Sequence, residues 1–235
     1  MTNIIQSFIF AAGRGERMRP FTDSVPKPLA PIGQKPILGH IIEKLDQIDS
    51  IQNIVVNGHY LADQIEHYLS NLSNSKINFS LESEKLETGG GLVFAAQGNK
   101  FDQNQPLLLI NGDILWNESG ASEIEGLASY YYENNCDIVL GLTKTEKLFG
   151  YEGQGDFNLK KNGDLEKSQQ NSYTFTGLAI INPKILKFAP SKCFSMGYFY
   201  NNFKELGLKI KGLGLNSQFF HIGDVKSLGD VNSRL

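Results

Sequence analysis

Ser7-Phe8-Ile9-Phe10-Ala11-Ala12-Gly13-Arg14-Gly15-Glu16-Arg17 lies near the start of a chain of 235 residues, and its pattern indicates the fold class. It begins as a short apolar run, which is typical of a strand buried inside a sheet. It ends in a loop with two glycines, whose backbone N–H groups can come close to a phosphate or a base edge because no Cβ intervenes. Ligands of open α/β sheets bind beyond the carboxyl ends of the strands, so this loop is the first candidate site.

Strands and helices alternate along the chain that follows. Apolar runs predict strands over residues 53–57, 77–81, 106–110, 137–142 and 173–181, and helical periodicity predicts helices over 36–48, 61–72, 91–97 and 124–134. This alternation implies right-handed β-α-β crossovers and a mostly parallel sheet. We therefore predict one α/β domain over residues 1–235, a Rossmann-like three-layer sandwich around a central mixed, mostly parallel sheet.

After residue 144 the pattern becomes less regular. Residues 153–167 are rich in Gly, Asp, Asn and Lys and predict a hairpin with Asn162-Gly163 as its turn. The tail from residue 209 predicts one or two further strands and a short helix over 225–231.

The overall charge and the cysteines narrow the class of protein. With 22 Lys and Arg against 25 Asp and Glu the formal net charge is −3, which argues against nucleic-acid binding. Cys136 and Cys193 form no CxxC pair, and we expect two buried free thiols. The first five residues lack the basic start of a signal peptide, and no apolar run is long enough to span a membrane. We expect a cytoplasmic protein, and monomer and homodimer both stay open.

Several cations accompany the glycine loop. Arg14, Arg17 and Arg19 lie in or beside it, and Lys27 follows between two prolines that stiffen its backbone. Rigidly placed cations around anionic oxygens suit phosphoryl chemistry, although a plain turn with solvated arginines would look similar. The dinucleotide fingerprint fails because Met18 stands where its last glycine belongs, and the chain contains no P-loop.

A carboxylate follows another buried strand. Asp113, in Asn111-Gly112-Asp113, comes directly after the apolar run 106–110, at the edge of the sheet where the glycine loop lies. Mg²⁺ usually takes one or two carboxylates together with substrate phosphates and water, so Asp113 is a candidate ligand. A simple turn aspartate is the alternative.

Five segments together resemble one known family. They are Phe10-Ala11-Ala12-Gly13-x-Gly15-x-Arg17-Met18 with its continuation to Pro26-Lys27-Pro28-Leu29, then Leu86-Glu87-Thr88-Gly89-Gly90-Gly91, Asn111-Gly112-Asp113, Gly153-x-Gly155-Asp156-Phe157 and Phe175-Thr176-Gly177. They resemble the motifs of the sugar-phosphate nucleotidyltransferases and extend over most of the chain.

The resemblance implies the fold of the nucleotide-diphospho-sugar transferases and a Mg²⁺-dependent reaction. A nucleoside monophosphate would pass from a nucleoside triphosphate to a sugar 1-phosphate, releasing pyrophosphate. UTP and N-acetylmuramate 1-phosphate are the favoured pair. Guanylyl or cytidylyl transfer to another sugar or alcohol phosphate, such as mannose 1-phosphate, stays open, as does a non-catalytic sensor of nucleotide sugars. Residues 1–115 would bind the nucleotide and residues 116–235 the sugar phosphate.

The resemblance also implies roles for single residues. Arg17 would bind the leaving β,γ-phosphates, Lys27 would bridge the triphosphate and the attacking phosphate, and Asp113 would hold Mg²⁺. The expected nucleotide-binding residues are Ala11, Ala12, Gly13, Gly15, Asn57, Thr88, Gly89 and Asn111. The expected sugar-phosphate-binding residues are Gly155, Asp156, Glu166, Thr176, Gly177 and His221.

One position departs from the family pattern. Family members often carry Trp-x-Asp-x-Gly near the C-terminus, where this chain has Phe219-Phe220-His221-Ile222-Gly223-Asp224. His221 therefore stands where the family has an aspartate, and a neutral imidazole is a poorer Mg²⁺ ligand than a carboxylate. Three possibilities stay open: His221 contacts the substrate phosphate, Asp224 takes the metal role, or Asp113 and substrate oxygens suffice.

Overall fold

The computed structural model describes residues 6–117 and 121–234. The first five residues, on which the signal-peptide prediction rests, lie outside the described residues. In the described part of the chain no helix combines the length and apolar character needed to cross a bilayer.

The secondary structure follows the predicted alternation. The strands are β1 (Gln6–Phe10), β2 (Pro31–Ile32), β3 (Lys35–Pro36), β4 (Asn53–Gly58), β5 (Ile77–Leu81), β6 (Leu107–Asn111), β7 (Ile114–Trp116), β8 (Ile138–Lys144), β9 (Asn158–Leu159), β10 (Leu165–Glu166), β11 (Tyr173–Ile181), β12 (Ile210–Gly214) and β13 (Phe219–His221). The α-helices are α1 (Ile37–Asp46), α2 (Ala62–Asn71), α3 (Glu87–Gln97), α4 (Ala121–Asn134), α5 (Gly197–Asn202) and α6 (Val225–Asn232).

The central sheet has seven strands in the order β12-β8-β11-β6-β1-β4-β5. β1 runs parallel to both β4 and β6, and the pairs β4–β5 and β8–β12 are also parallel. β11 is antiparallel to its neighbours β6 and β8. The predicted mixed and mostly parallel sheet is thereby confirmed. Strands from both halves of the chain belong to this sheet.

Two apolar layers cover the sheet, one on each face. Successive residues of a strand point to opposite faces, so Phe8 packs in one cluster and Ile9 in the other. The Ile9 cluster includes apolar residues of α1, α2 and α4, whereas the Phe8 cluster includes residues of α3 and α5. This is the predicted three-layer sandwich.

The structure corrects two details of the sequence prediction. Helix α3 starts at Glu87 rather than at 91, so three consecutive glycines lie inside its first turns. They are needed for close packing, because a Cβ at Gly90 would lie 2.2 Å from the Lys192 carbonyl oxygen. The second detail concerns the thiols: Cys136 is buried as expected, but Cys193 is exposed.

Candidate active site

A cavity of about 860 Å³ opens at the carboxyl ends of β1, β4 and β6. Its volume suits a small-molecule ligand. It is lined by the glycine loop and its flanks, the segment around Lys27, the end of β4, residues 82 and 85–88, the turn after β6, and Gly223. Among the predicted site residues, its lining includes Ala11, Ala12, Gly13, Gly15, Arg17, Lys27, Asn57, Thr88, Asn111 and Asp113.

The glycine loop is folded back onto the segment that carries Lys27. Gly15 has a left-handed backbone with φ of 63°, and a Cβ there would lie 2.9 Å from the Cβ of Lys27. The Thr22 hydroxyl donates a hydrogen bond of 2.9 Å to the Gly15 carbonyl oxygen. Only glycine meets both the conformation and the contact without strain, so its position fixes the loop against the lysine.

The turn after β6 brings Asp113 to the same loop. A Cβ at Gly112 would lie 2.4 Å from the Phe10 carbonyl oxygen, to which the Gly112 N–H donates at 3.0 Å. From the other side, the Ile222 N–H donates to the Asp113 carbonyl oxygen at 2.9 Å. The ends of β1, β6 and β13 therefore converge on this carboxylate.

Asp113 lies between two basic side chains. Its Oδ2 is 2.5 Å from Lys27 Nζ and 3.6 Å from His221 Nε2. Burial acts to raise the pKa of Asp113, but the charge of Lys27 and the contacts with His221 outweigh it and hold the pKa well below its ordinary value. The carboxylate is therefore ionised at neutral pH, as a metal ligand must be.

The site offers few protein ligands for a divalent cation. In residues 6–117 and 121–234 no group of three or more His, Cys, Asp or Glu side chains converges in the manner of an all-protein metal cage. Mg²⁺ is often held by one or two carboxylates and completed by phosphates and water. The Asp113 side chain retains 24% of its exposure, so it fits that kind of site.

The Asp224 side chain caps the N-terminus of α6. Its Oδ1 accepts a hydrogen bond of 2.8 Å from the Ser227 N–H, and the Ser227 hydroxyl accepts one from the Asp224 N–H. This is a capping box at the start of α6. The hydrogen bond from Ser227 lowers the pKa of Asp224. A metal role for Asp224 gains no support from this geometry.

A buried acidic residue at the other end of the cavity is absent from the sequence prediction. Asn57 Oδ1 accepts from the Ala11 N–H at 2.7 Å, and Asn57 Nδ2 donates to Glu82 Oε1 at 2.6 Å. Burial raises the pKa of Glu82 above its ordinary value, against opposing effects of Asn57 and His59. In the sequence, the feature that could have indicated Glu82 as a site residue is its position directly after the predicted strand 77–81.

Two arginines of the glycine loop take different positions. The Arg14 guanidinium lies over the Tyr60 ring, 5.3 Å from its centroid. The exposed Arg17 reaches the segment after β13, where a Cβ at Gly223 would lie 3.2 Å from its guanidinium. Arg17, Lys27 and Asp113 line one end of the cavity, and His221 lies beside Asp113.

Two predicted contacts need correction. Gly89 is buried under the Phe194 ring, and its N–H donates to the Phe194 carbonyl oxygen at 2.8 Å, so that N–H is already used. Thr176 is fully buried, and its hydroxyl donates to the Gly141 carbonyl oxygen at 2.8 Å. Neither residue is among those that line the cavity, so both belong to the walls behind it.

The remaining sugar-phosphate candidates do not line this cavity. Asp156 Oδ2 accepts from the Phe175 N–H at 2.8 Å, and Glu166 pairs with Lys160 at 2.5 Å on the surface hairpin. Gly155 and Gly177 both have left-handed backbones, and a Cβ at either would collide with neighbouring atoms. A separate, open depression of about 940 Å³ lies beside the hairpin and is lined by Gln154, Ser168, Gln169 and Gln170.

Comparison with known proteins shows the family to which the chain belongs. The chain matches the model of the Nucleotidyl transferase family over residues 6–202 and belongs to that family. It is 26% identical over 237 residues to the N-acetylmuramate alpha-1-phosphate uridylyltransferase of Caulobacter vibrioides, covering 97% of this chain and 96% of that protein. It is 33% identical over 186 residues to the enzyme of the same name from Neisseria meningitidis, covering 77% of each.

A solved structure shows the same fold. The inositol-1-phosphate CTP transferase of T. maritima superposes with a TM-score of 0.81 over 99% of this chain and 96% of that one, at 15% identity. The family match confirms the resemblance found in the sequence motifs, and the protein is a nucleotidyltransferase.

Proposed function

We propose that the chain transfers uridine monophosphate from UTP to N-acetylmuramate 1-phosphate, or to a closely similar sugar 1-phosphate, and releases pyrophosphate. The observation that carries the chemistry is the Lys27–Asp113 pair at 2.5 Å, held beside the glycine loop in the cavity. The substrate pair is supported by the two relatives named above, which are N-acetylmuramate alpha-1-phosphate uridylyltransferases.

The reaction would be an in-line attack of the sugar phosphate oxygen on the α-phosphorus of the triphosphate. A phosphate monoester has a second pKa near 6, so the nucleophile is ionised at neutral pH and needs no general base. Catalysis then consists of positioning and charge neutralisation. The O–P bond to the sugar phosphate forms as the bond to pyrophosphate breaks.

Lys27 and Arg17 suit the two sides of that α-phosphorus. The Lys27 ammonium has three N–H donors and gives one to Asp113, which leaves others for the triphosphate and the attacking phosphate. Arg17 is exposed at the rim and suits the leaving β,γ-phosphates. A Mg²⁺ ion held by Asp113 would supply further neutralisation of the phosphate oxygens when bound. The nucleoside triphosphate substrate supports a cytoplasmic location.

The acceptor sugar would meet the second half of the chain, residues 116–235. Because Gly155, Asp156, Glu166 and Gly177 are not among the residues that line the cavity, we assign them to the wall and hairpin around the acceptor rather than to direct phosphate contacts. His221 is the residue of this set that lies beside Asp113.

Guanylyl transfer is the second candidate, and Glu82 is the observation that favours it. A carboxylate accepts hydrogen bonds and cannot donate them. The Watson–Crick edge of guanine presents two neighbouring N–H donors, whereas that of uracil presents one donor between two acceptors. A buried carboxylate in the cavity lining therefore suits guanine, and a protonated one suits uracil.

The test is pyrophosphate release from each of UTP, GTP, CTP and ATP, combined with N-acetylmuramate 1-phosphate, N-acetylglucosamine 1-phosphate and mannose 1-phosphate. We expect the highest kcat/KM for UTP with N-acetylmuramate 1-phosphate. A clear preference for GTP would select the second candidate. Absence of pyrophosphate release with every pair of substrates would favour a nucleotide-sugar sensor and contradict the proposal.

A further inference from the structure

The His221 backbone is held firmly at the cavity edge. Its N–H donates to the Phe149 carbonyl oxygen at 2.8 Å, and the neighbouring strand β7 pairs His221 with Ile114, the residue after Asp113. Gly150 packs so closely that a Cβ there would lie 2.3 Å from the His221 carbonyl oxygen. The imidazole is therefore presented next to Asp113 by fixed main chain rather than by a mobile loop.

The contact made by Nδ1 of His221 sets the orientation of its imidazole ring, and with it the position of Nε2. Nδ1 lies 3.4 Å from the Gly150 carbonyl oxygen, which can only accept a hydrogen bond. When a cation lies between the two side chains, a neutral imidazole with its proton on Nδ1 directs the Nε2 lone pair toward that cation. A backbone carbonyl behind a histidine is the usual arrangement that orients a metal-binding imidazole.

The distance between His221 Nε2 and Asp113 Oδ2 suits two ligands of one shared cation. Ligand bonds of about 2.1 Å put neighbouring ligand atoms about 3.0 Å apart in an octahedral site and about 3.4 Å apart in a tetrahedral one. His221 Nε2 and Asp113 Oδ2 are 3.6 Å apart, and the same oxygen is 2.5 Å from Lys27 Nζ. A side-chain shift that moves one Asp113 oxygen away from Lys27 would place that oxygen and Nε2 on one ion. Both side chains are partly exposed, at 21% and 24%, so an ion can reach them.

We propose that Asp113 and His221 form a mixed oxygen–nitrogen site that binds Mn²⁺ and Co²⁺ more tightly than Mg²⁺. Mg²⁺ prefers oxygen ligands, whereas imidazole suits the transition metals, whose affinity rises from Mn²⁺ to Co²⁺. The inference rests on the proposed function only in that substrate phosphates would complete the coordination. The two protein ligands are present without substrate.

The experiment measures metal binding directly on the full chain. Mn²⁺ binding is followed by the loss of the free-ion electron paramagnetic resonance signal, with Mg²⁺ as competitor, and imidazole coordination is read from ¹⁴N modulation of the bound Mn²⁺ echo. We expect Mn²⁺ to bind at least about tenfold more tightly than Mg²⁺, with ¹⁴N modulation present. H221A should lose the modulation and weaken Mn²⁺ binding by about 10–100-fold, the range seen when metal-site contacts are removed.

Two further variants make the result specific. H221D supplies a carboxylate and should narrow the preference for Mn²⁺ over Mg²⁺, whereas H67A changes an exposed histidine on α2 and should leave binding unchanged. H221Q replaces H221A if the alanine variant fails to fold. Absence of ¹⁴N modulation, or equal weakening of both ions in H221A or H221Q, would overturn the inference. None of these readouts requires turnover, so a failure of the proposed reaction is distinguishable from a failure of this site.

Discussion

Single side chains set the charge of the cavity. At one end Lys27 and His221 keep Asp113 ionised, and at the other end Glu82 is buried against Asn57. The two carboxyl groups therefore have pKa values shifted in opposite directions. That contrast is typical of functional sites. Asp113 and Lys27 could be predicted from motifs in the sequence. The burial of Glu82 depends on its contacts with Asn57 of β4 and Gly91 of α3, where a Cβ would lie 2.3 Å from Glu82 Oε1.

Replacement of Lys27 by alanine should remove one electrostatic stabiliser of the transition state. We expect kcat/KM to fall by about 10²–10³, or about 3–4 kcal/mol in the barrier, in a pyrophosphate-release assay. Lys35→Ala, which removes an exposed lysine paired with Glu43, is the matched control. Activity near that of the wild type in the Lys27 variant would remove this residue from the mechanism.

Asp113→Asn keeps the shape of the side chain and removes its charge. Asp113 supplies the negative charge at the proposed metal site, so we expect metal-dependent turnover to be abolished at all Mg²⁺ concentrations tested. Asp49→Asn, at an exposed turn after α1, should leave turnover unchanged. Full activity of the Asp113 variant would contradict the metal assignment.

Glu82→Gln should change how stability depends on pH. The folded-state pKa of Glu82 is raised above its ordinary value of 4.5, so wild-type stability falls as pH rises from 4.5 through the folded-state pKa. The variant keeps the hydrogen bond from Asn57 and lacks this loss. Urea unfolding should show it more stable than wild type at pH 8 and no more stable at pH 4. An equal difference at both pH values, or none, would show that Glu82 is not the source; Glu66→Gln, at an exposed site on α2, is the control.

At the scale of elements, the helix ends account for most differences between sequence and structure. Periodicity located α1 and α2 to within about two residues, as is usual. It failed for α3, because three glycines suggest a loop unless the contacts with Lys192, Phe194 and Glu82 are known. Phe194 lies about a hundred residues further along the chain than these glycines, so local periodicity carries no information about its contact with them. For the same reason the two motifs that contain Gly89 and Thr176 could not show that these residues lie outside the cavity lining.

The capping box of α6 gives a test that separates structure from metal binding. Asp224→Ala should lower the free energy of unfolding by about 1 kcal/mol, the usual cost of losing an N-cap, and leave metal-dependent turnover near wild type. Asp224→Ser retains a capping oxygen and should restore most of the stability. Loss of turnover in both variants with unchanged stability would instead place Asp224 at the metal.

At the scale of the whole molecule, one sheet joins the two predicted halves of the chain. β1, β4 and β6 carry the glycine loop, Asn57 and the Asp113 turn, whereas β8, β11 and β12 extend the sheet from the second half. Strand alternation was enough to predict the sandwich. It could not predict that β13 returns beside β7, and this pairing is what brings His221 to Asp113.

The proposed reaction transfers the α-phosphorus of a nucleoside triphosphate to a sugar phosphate. Incubation with UTP labelled at the α-phosphorus, N-acetylmuramate 1-phosphate and Mg²⁺ follows that phosphorus into the products. We expect the label to appear in the nucleotide sugar, unlabelled pyrophosphate to appear in equal amount, and neither product to form with the Asp113→Asn variant. Label in pyrophosphate or in free UMP, or no transfer to any sugar phosphate from any triphosphate, would contradict the account.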